Sequence, residues 1–152
     1  MVRQLLVRIL FVFASCSALS AYAQTQAGNL QISQPTVRTT SPGQMMSSAY
    51  LVIENKGATP DRLVSVSYSR AKEVQIHEMK MDGDKMMMRQ MTALEIPANG
   101  SVELKSGGYH LMMLGLQEPI KEGDSVKMTL QFEKAGKVDI SFQTKSMAGM
   151  KH

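Results

Sequence analysis

The sequence predicts an all-β domain, an antiparallel sandwich or barrel, on three observations. Short segments alternate apolar and polar residues with period two. Glycine-, proline- and asparagine-rich turns punctuate those segments at close intervals. No stretch shows an internal repeat, a coiled-coil heptad or a convincing amphipathic helical face.

In chain order, the first predicted strand covers 30–39 and stops at Ser41-Pro42-Gly43. The second, 47–54, runs into Asn55-Lys56-Gly57, and a third follows at 62–68. Segments 72–81 and 86–96 flank Asp82-Gly83-Asp84 and read as a hairpin. Pro97-Ala98-Asn99-Gly100 ends the hairpin, and 101–105 leads to Ser106-Gly107-Gly108. Strands at 109–114, 125–133 and 137–144 complete the set, separated by Glu122-Gly123-Asp124 and Ala135-Gly136.

The two ends do not belong to this pattern. Arg3 and Arg8 precede an apolar run, Ile9 to Leu19, too short to span a bilayer, and Ala21-Tyr22-Ala23 is a small-x-small cleavage site. Residues 1–23 therefore read as a secretory signal peptide, 24–144 as the folded domain and 145–152 as a mobile tail. Phe13-Ala14-Ser15-Cys16 loosely resembles a lipobox, but phenylalanine is a poor residue at its first position, so cleavage after Ala23 is the preferred reading. The expected compartment is the bacterial periplasm, with no stable membrane insertion once the signal is removed.

Cleavage would leave 129 residues, enough for one domain with its own core. It would also remove Cys16, the only cysteine, so disulfide, thiolate ligand and cysteine nucleophile would all be lost. Without Arg3 and Arg8, 15 basic side chains face 13 acidic ones, a net charge of +2. That balance suits neither nucleic acid nor an anionic membrane surface.

Methionine is the compositional outlier: 14 in the chain, with no tryptophan. Methionine fills core gaps, but core filling does not ask for clusters. Here the residues cluster as Met45-Met46, Met79 with Met81, Met86-Met87-Met88 with Met91, Met112-Met113, and Met147 with Met150. Met113 and Met128 are expected in the core.

Strand alternation puts His77, Met79 and Met81 on one face, with Ile76, Glu78 and Lys80 on the other. A hairpin closing over residues 82–85 pairs Met81 with Met86, Met79 with Met88 and His77 with Gln90. Met88 is then diagonal to His77. A slip of one residue would present Met87 instead. His110 and Met112 likewise share a face, with Leu111 and Met113 turned to the core. Each of the three histidines stands two positions from a methionine, the last pair being His152 and Met150.

Thioether sulfur is soft, neutral and needs no deprotonation, so these donors favour Cu(I) over zinc, calcium or magnesium. Imidazole adds a stronger donor that protonation switches off. A neutral ligand set leaves the ion's charge uncancelled, which favours a site near the surface. His77, Met88, His110 and Met112 are the expected ligands. Met79, Met147, Met150 and His152 are auxiliary candidates, the tail for Cu(I) or Cu(II).

From His77 there are ten residues to Met88, twenty-one more to His110 and one to Met112. This spacing resembles the H-x10-M-x21-H-x-M signature of the PCuAC family of periplasmic copper chaperones. The surroundings are similar too: Ala49 to Asn55 (AYLVIEN), Asp61-Arg62-Leu63, Ala71 to Met79 (AKEVQIHEM), Gly108 to Met112 (GYHLM) and Gly123-Asp124. The likeness spans roughly residues 30 to 144. It implies a cupredoxin-like antiparallel β-sandwich of Greek-key type that carries Cu(I). It also implies delivery toward the binuclear copper centre of cytochrome c oxidase, with subunit II or a Sco-type thiol chaperone as acceptor. A monomer is expected. The Met86-Met87-Met88 run and the tail depart from the signature.

Other functions fit less well. A blue-copper electron carrier needs a cysteine thiolate, which the cleaved chain lacks. A serine hydrolase would show a G-x-S-x-G elbow. A non-metal interaction module with an adaptable Met-rich face leaves the convergence of soft donors unexplained. A periplasmic copper buffer would use the same ligands as a carrier, and sequence does not separate the two.

Overall fold

The computed structural model describes residues 24–146. Eleven strands occupy them: β1 Thr25–Ala27, β2 Leu30–Arg38, β3 Met46–Asn55, β4 Asp61–Ser67, β5 Ala71–Asp82, β6 Lys85–Met91, β7 Leu94–Ile96, β8 Gly100–Leu104, β9 Tyr109–Leu116, β10 Ser125–Phe132 and β11 Gly136–Lys145. Among the described residues there is no helix, and the all-β expectation holds.

Seven strands pair in a ring, β2-β11-β10-β4-β5-β9-β3, which the β2–β3 ladder closes. The remaining strands extend its edges: β1 on β2, β6 on β5, β7 on β4 and β8 on β3. Closure removes the unpaired edges that an open sheet would present to other chains.

Period-two alternation decides what faces inward. In β3, Ala49, Leu51 and Ile53 are buried; in β9, Leu111 and Met113; in β10, Val126, Met128, Leu130 and Phe132. Met113 and Met128 are fully buried, so these two are core residues as expected. A core assembled from apolar side chains on nine of the eleven strands does not depend on metal ligands. The metal-free protein should therefore give a β-type circular dichroism spectrum and melt cooperatively. A disordered metal-free chain would contradict this.

The differences from the expected strands have local causes. β1 is a three-residue strand paired with β2, too short to leave a periodic signal. The segment expected as one strand at 86–96 is two, because β6 stays with β5 whereas β7 leaves to pair β4. The pairing is antiparallel except between β11 and β2, where Gln143–Lys145 run parallel to Thr36–Arg38. Gln34, at φ 54°, and Pro35, which lacks an N–H, mark the break in the β2–β3 register that precedes this stretch. Lys145 belongs to β11, so the strand runs one residue into the segment expected as tail.

Candidate metal centre

β5 lies between β6 and β9, and its registers place the candidate ligands. On one side His77 pairs with Gln90, Met79 with Met88 and Met81 with Met86. On the other, His77 pairs with His110 and Gln75 with Met112. The β5–β6 turn fixes the first register: Asp82 pairs with Lys85 around Gly83-Asp84, with Gly83 at φ 60° in the first central position. This is the expected register, and Met88 shares the histidine face. Met87 opposes Lys80 on the reverse side.

The reverse side anchors the hairpin. Glu78 is buried and opposes Arg89, to which it is hydrogen-bonded; Lys80 Nζ lies 3.0 Å from the same carboxylate. Lys80 and Arg89 hold the Glu78 carboxyl below the ordinary carboxylate range, against the opposing effect of its burial.

The sheet brings the two histidines together. As a directly opposed cross-strand pair, their rings meet edge to face with centroids 5.5 Å apart. His77 Nε2 lies 2.7 Å from Gln75 Oε1, and His110 Nδ1 lies 3.1 Å from the Gly108 carbonyl oxygen. Each partner oxygen can only accept, so each of those nitrogens carries the proton and donates it. The lone pairs then fall on His77 Nδ1 and His110 Nε2. Nδ1 of His77 is buried without a hydrogen-bond partner. A buried, unpartnered polar atom is costly and needs a reason. A metal ion supplies one, since ligating imidazoles characteristically donate their other N–H to a carbonyl or carboxylate.

Met88 and Met112 flank this pair from opposite sides, each diagonal to His77 at a distance of about 7–8 Å between backbone positions. Met112 is half-buried, its sulfur 4.0 Å from the Ser48 hydroxyl, which β3 brings opposite it. Met88 is 49% exposed. Met79, opposite Met88, is half-buried on the same face. The centre is graded in depth, not wholly superficial: His110 is only 3% exposed, and the face opens toward Met88. Met147, Met150 and His152 lie outside the described residues, as do the signal segment and Cys16.

Among the described residues no three His, Cys, Asp or Glu side chains group as a metal cage. The donors gathered around the histidine pair are thioethers, a set matched to a soft monovalent ion. Sequence reasoning missed Gln75, Gly108 and Ser48. Only Gln75 left a trace, as the polar same-face neighbour two residues before His77.

Burial holds the His77 pKa below its ordinary 6.5, His110 adds to the shift, and Glu73 opposes it more weakly. The ring is thus neutral and ready to ligate at pH 7. As pH falls below 6.5, the unfolded chain gains a proton that folded His77 resists, so metal-free stability declines with acidification until the folded pKa is passed. NMR titration of the metal-free protein should place the His77 midpoint below 6.5. A midpoint at or above that value would contradict the burial argument.

Comparison with known proteins agrees with the fold. Residues 30–144 match the family model described as "LpqE-like: Putative lipoprotein LpqE-like". "Putative lipoprotein Lxx21020" of Leifsonia xyli subsp. xyli (strain CTCB07) is 30% identical over 146 residues, covering 93% of this chain and 87% of the relative. The copper-bound PCuAC domain from PmoF2 superposes with a TM-score of 0.73 at 26% identity, covering 82% of this chain and 98% of that domain. The Cu(I) form of DR1885 from Deinococcus radiodurans gives 0.60 at 27% identity, covering 87% and 83%. The closed, mainly antiparallel sheet is a PCuAC-type domain. The chain belongs to the LpqE-like family.

Proposed function

We propose that the protein binds one Cu(I) through His77, His110, Met112 and Met88, and carries it to a copper enzyme outside the cytoplasm. The observation that carries the reading is the opposed histidine pair, with its N–H groups engaged and the buried Nδ1 of His77 left without a partner. Two imidazoles supply strong donors, and two thioethers complete a soft set that no proton needs to leave. The copper-bound state of the similar PmoF2 domain and the Cu(I) state of DR1885 support the choice of ion.

The binuclear copper centre of cytochrome c oxidase is the proposed destination, reached directly through subunit II or through a Sco-type thiol chaperone. The lipoprotein descriptions of the family and of the Leifsonia xyli relative support an extracytoplasmic location. Cleavage after Ala23 would free the domain in the periplasm, whereas processing at Cys16 would tether it. In either case the protein acts as a carrier, not an enzyme.

A copper buffer would use the same ligands, so the role is tested in cells. Deleting the gene should lower oxidase copper content when external copper is scarce. If deletion lowers only tolerance to excess copper and oxidase loading is unchanged, the protein is a buffer.

A further inference from the structure

Beyond the histidine pair, the β5–β6 hairpin continues as a two-stranded ribbon. The β5–β9 ladder ends at Tyr109 opposite Glu78, with one further bond from the Met79 N–H to the Gly108 carbonyl oxygen, and beyond Met79 β5 has β6 beside it as far as the turn. One face of this ribbon carries Met79 opposite Met88 and Met81 opposite Met86. Core filling does not account for them. Met81, Met86 and Met88 are 63%, 64% and 49% exposed, whereas the true core methionines, Met113 and Met128, are at 0%. Leaving that much flexible apolar surface in water costs solubility, and such exposed patches mark sites of interaction.

Opposed side chains on an antiparallel pair start about 4.5–5.5 Å apart, and successive same-face positions about 7 Å apart. Four thioethers thus stand at the corners of a small rectangle, on chains long enough to converge on one ion. The donor set is purely soft and uncharged, which selects Cu(I) and its surrogate Ag(I) over harder cations.

We propose that Met79, Met81, Met86 and Met88 form a second, all-thioether Cu(I) site, which shares Met88 with the histidine centre. The choice of ion rests on the function proposed above, but the ligands are separate apart from Met88. The shared residue makes the hairpin a landing place: an ion caught at the tip passes inward when Met88 turns toward His77, and leaves by the reverse step. Both sites cannot use Met88 at once, so occupation of one weakens the other.

The test follows methionine methyl signals by NMR during Ag(I) titration, assigned residue by residue so that Met147 and Met150 are read apart from the hairpin. In a His77→Ala, His110→Ala variant, the methyls of Met79, Met81, Met86 and Met88 should still shift together. A Met81→Leu, Met86→Leu variant keeps the apolar surface and removes the sulfur. It should lose the hairpin binding step while the first ion still binds at the histidines. If the methyls of Met81 and Met86 stay in place through excess Ag(I) in both the wild type and the histidine variant, the site is overturned and the hairpin is an apolar rim for a partner. Failure of the histidine centre would show differently, as wild-type affinity for the first ion in the histidine variant.

Discussion

Replacing His77 and His110 together with alanine should lower Cu(I) affinity by a factor of about a thousand or more, roughly 4 kcal/mol. Replacing Met88 or Met112 singly with leucine should cost only about tenfold, near 1.4 kcal/mol. The asymmetry follows from what can substitute for each donor. Met79 stands opposite Met88 on the same face, so a lost thioether has a replacement close by. Nothing of comparable strength stands near the imidazoles: their same-face neighbours are Gln75, Gln90 and the thioethers of Met79, Met88 and Met112. A third variant separates ligation from positioning. Gln75→Leu removes the acceptor that orients His77 and should weaken binding by roughly 10–100-fold, the usual cost of losing such a partner. Competition titration against a coloured Cu(I) chelator measures all of these, with circular dichroism confirming that each variant is folded. Unchanged affinity in the double histidine variant would place the ion elsewhere.

The sequence revealed the parts of this centre that depend on alternation, and not those that depend on tertiary pairing. His77, Met79 and Met81 had to share a face once 72–81 was a strand, and a hairpin closed at Asp82-Gly83-Asp84 made Met88 the expected partner, although only the observed register excludes Met87. The opposition of His77 and His110 was not legible in that way. The two residues are brought together by the β5–β9 ladder, whose register is set by core packing of Ile76, Leu111 and Met113 on the other face. The buried state of His110 was equally hidden, since a period-two pattern assigns a face and not a depth. The expectation of a surface site therefore described Met88 better than His110. The same holds for β7, whose apolar residues read as a continuation of β6 until their partner in β4 is known.

That gradient of depth bears on how the ion leaves. His110 is nearly inaccessible and Met112 is half-buried, so an approaching molecule meets Met88 first, at the open end of the face. A thiolate entering there can replace the Met88 thioether while both imidazoles still hold the ion, and a second thiolate can then displace what remains. Each step exchanges neutral donors for an anionic one, the weak thioethers leaving before the imidazoles, and at no stage is the ion free in water. Cu(I) should accordingly pass to a reduced dicysteine acceptor at least about tenfold faster than to a chelator that captures only dissociated ion. A tenfold difference corresponds to a barrier lower by roughly 1.4 kcal/mol. Mixing the copper-loaded protein with each in turn, and following the loss of copper in time, measures the two rates. The acceptor rate should also rise with acceptor concentration, because the acceptor takes part in the slow step, whereas the scavenger rate should reach a plateau set by dissociation. Equal and concentration-independent rates in both mixtures would mean that the ion simply falls off, and delivery by ligand exchange would be excluded.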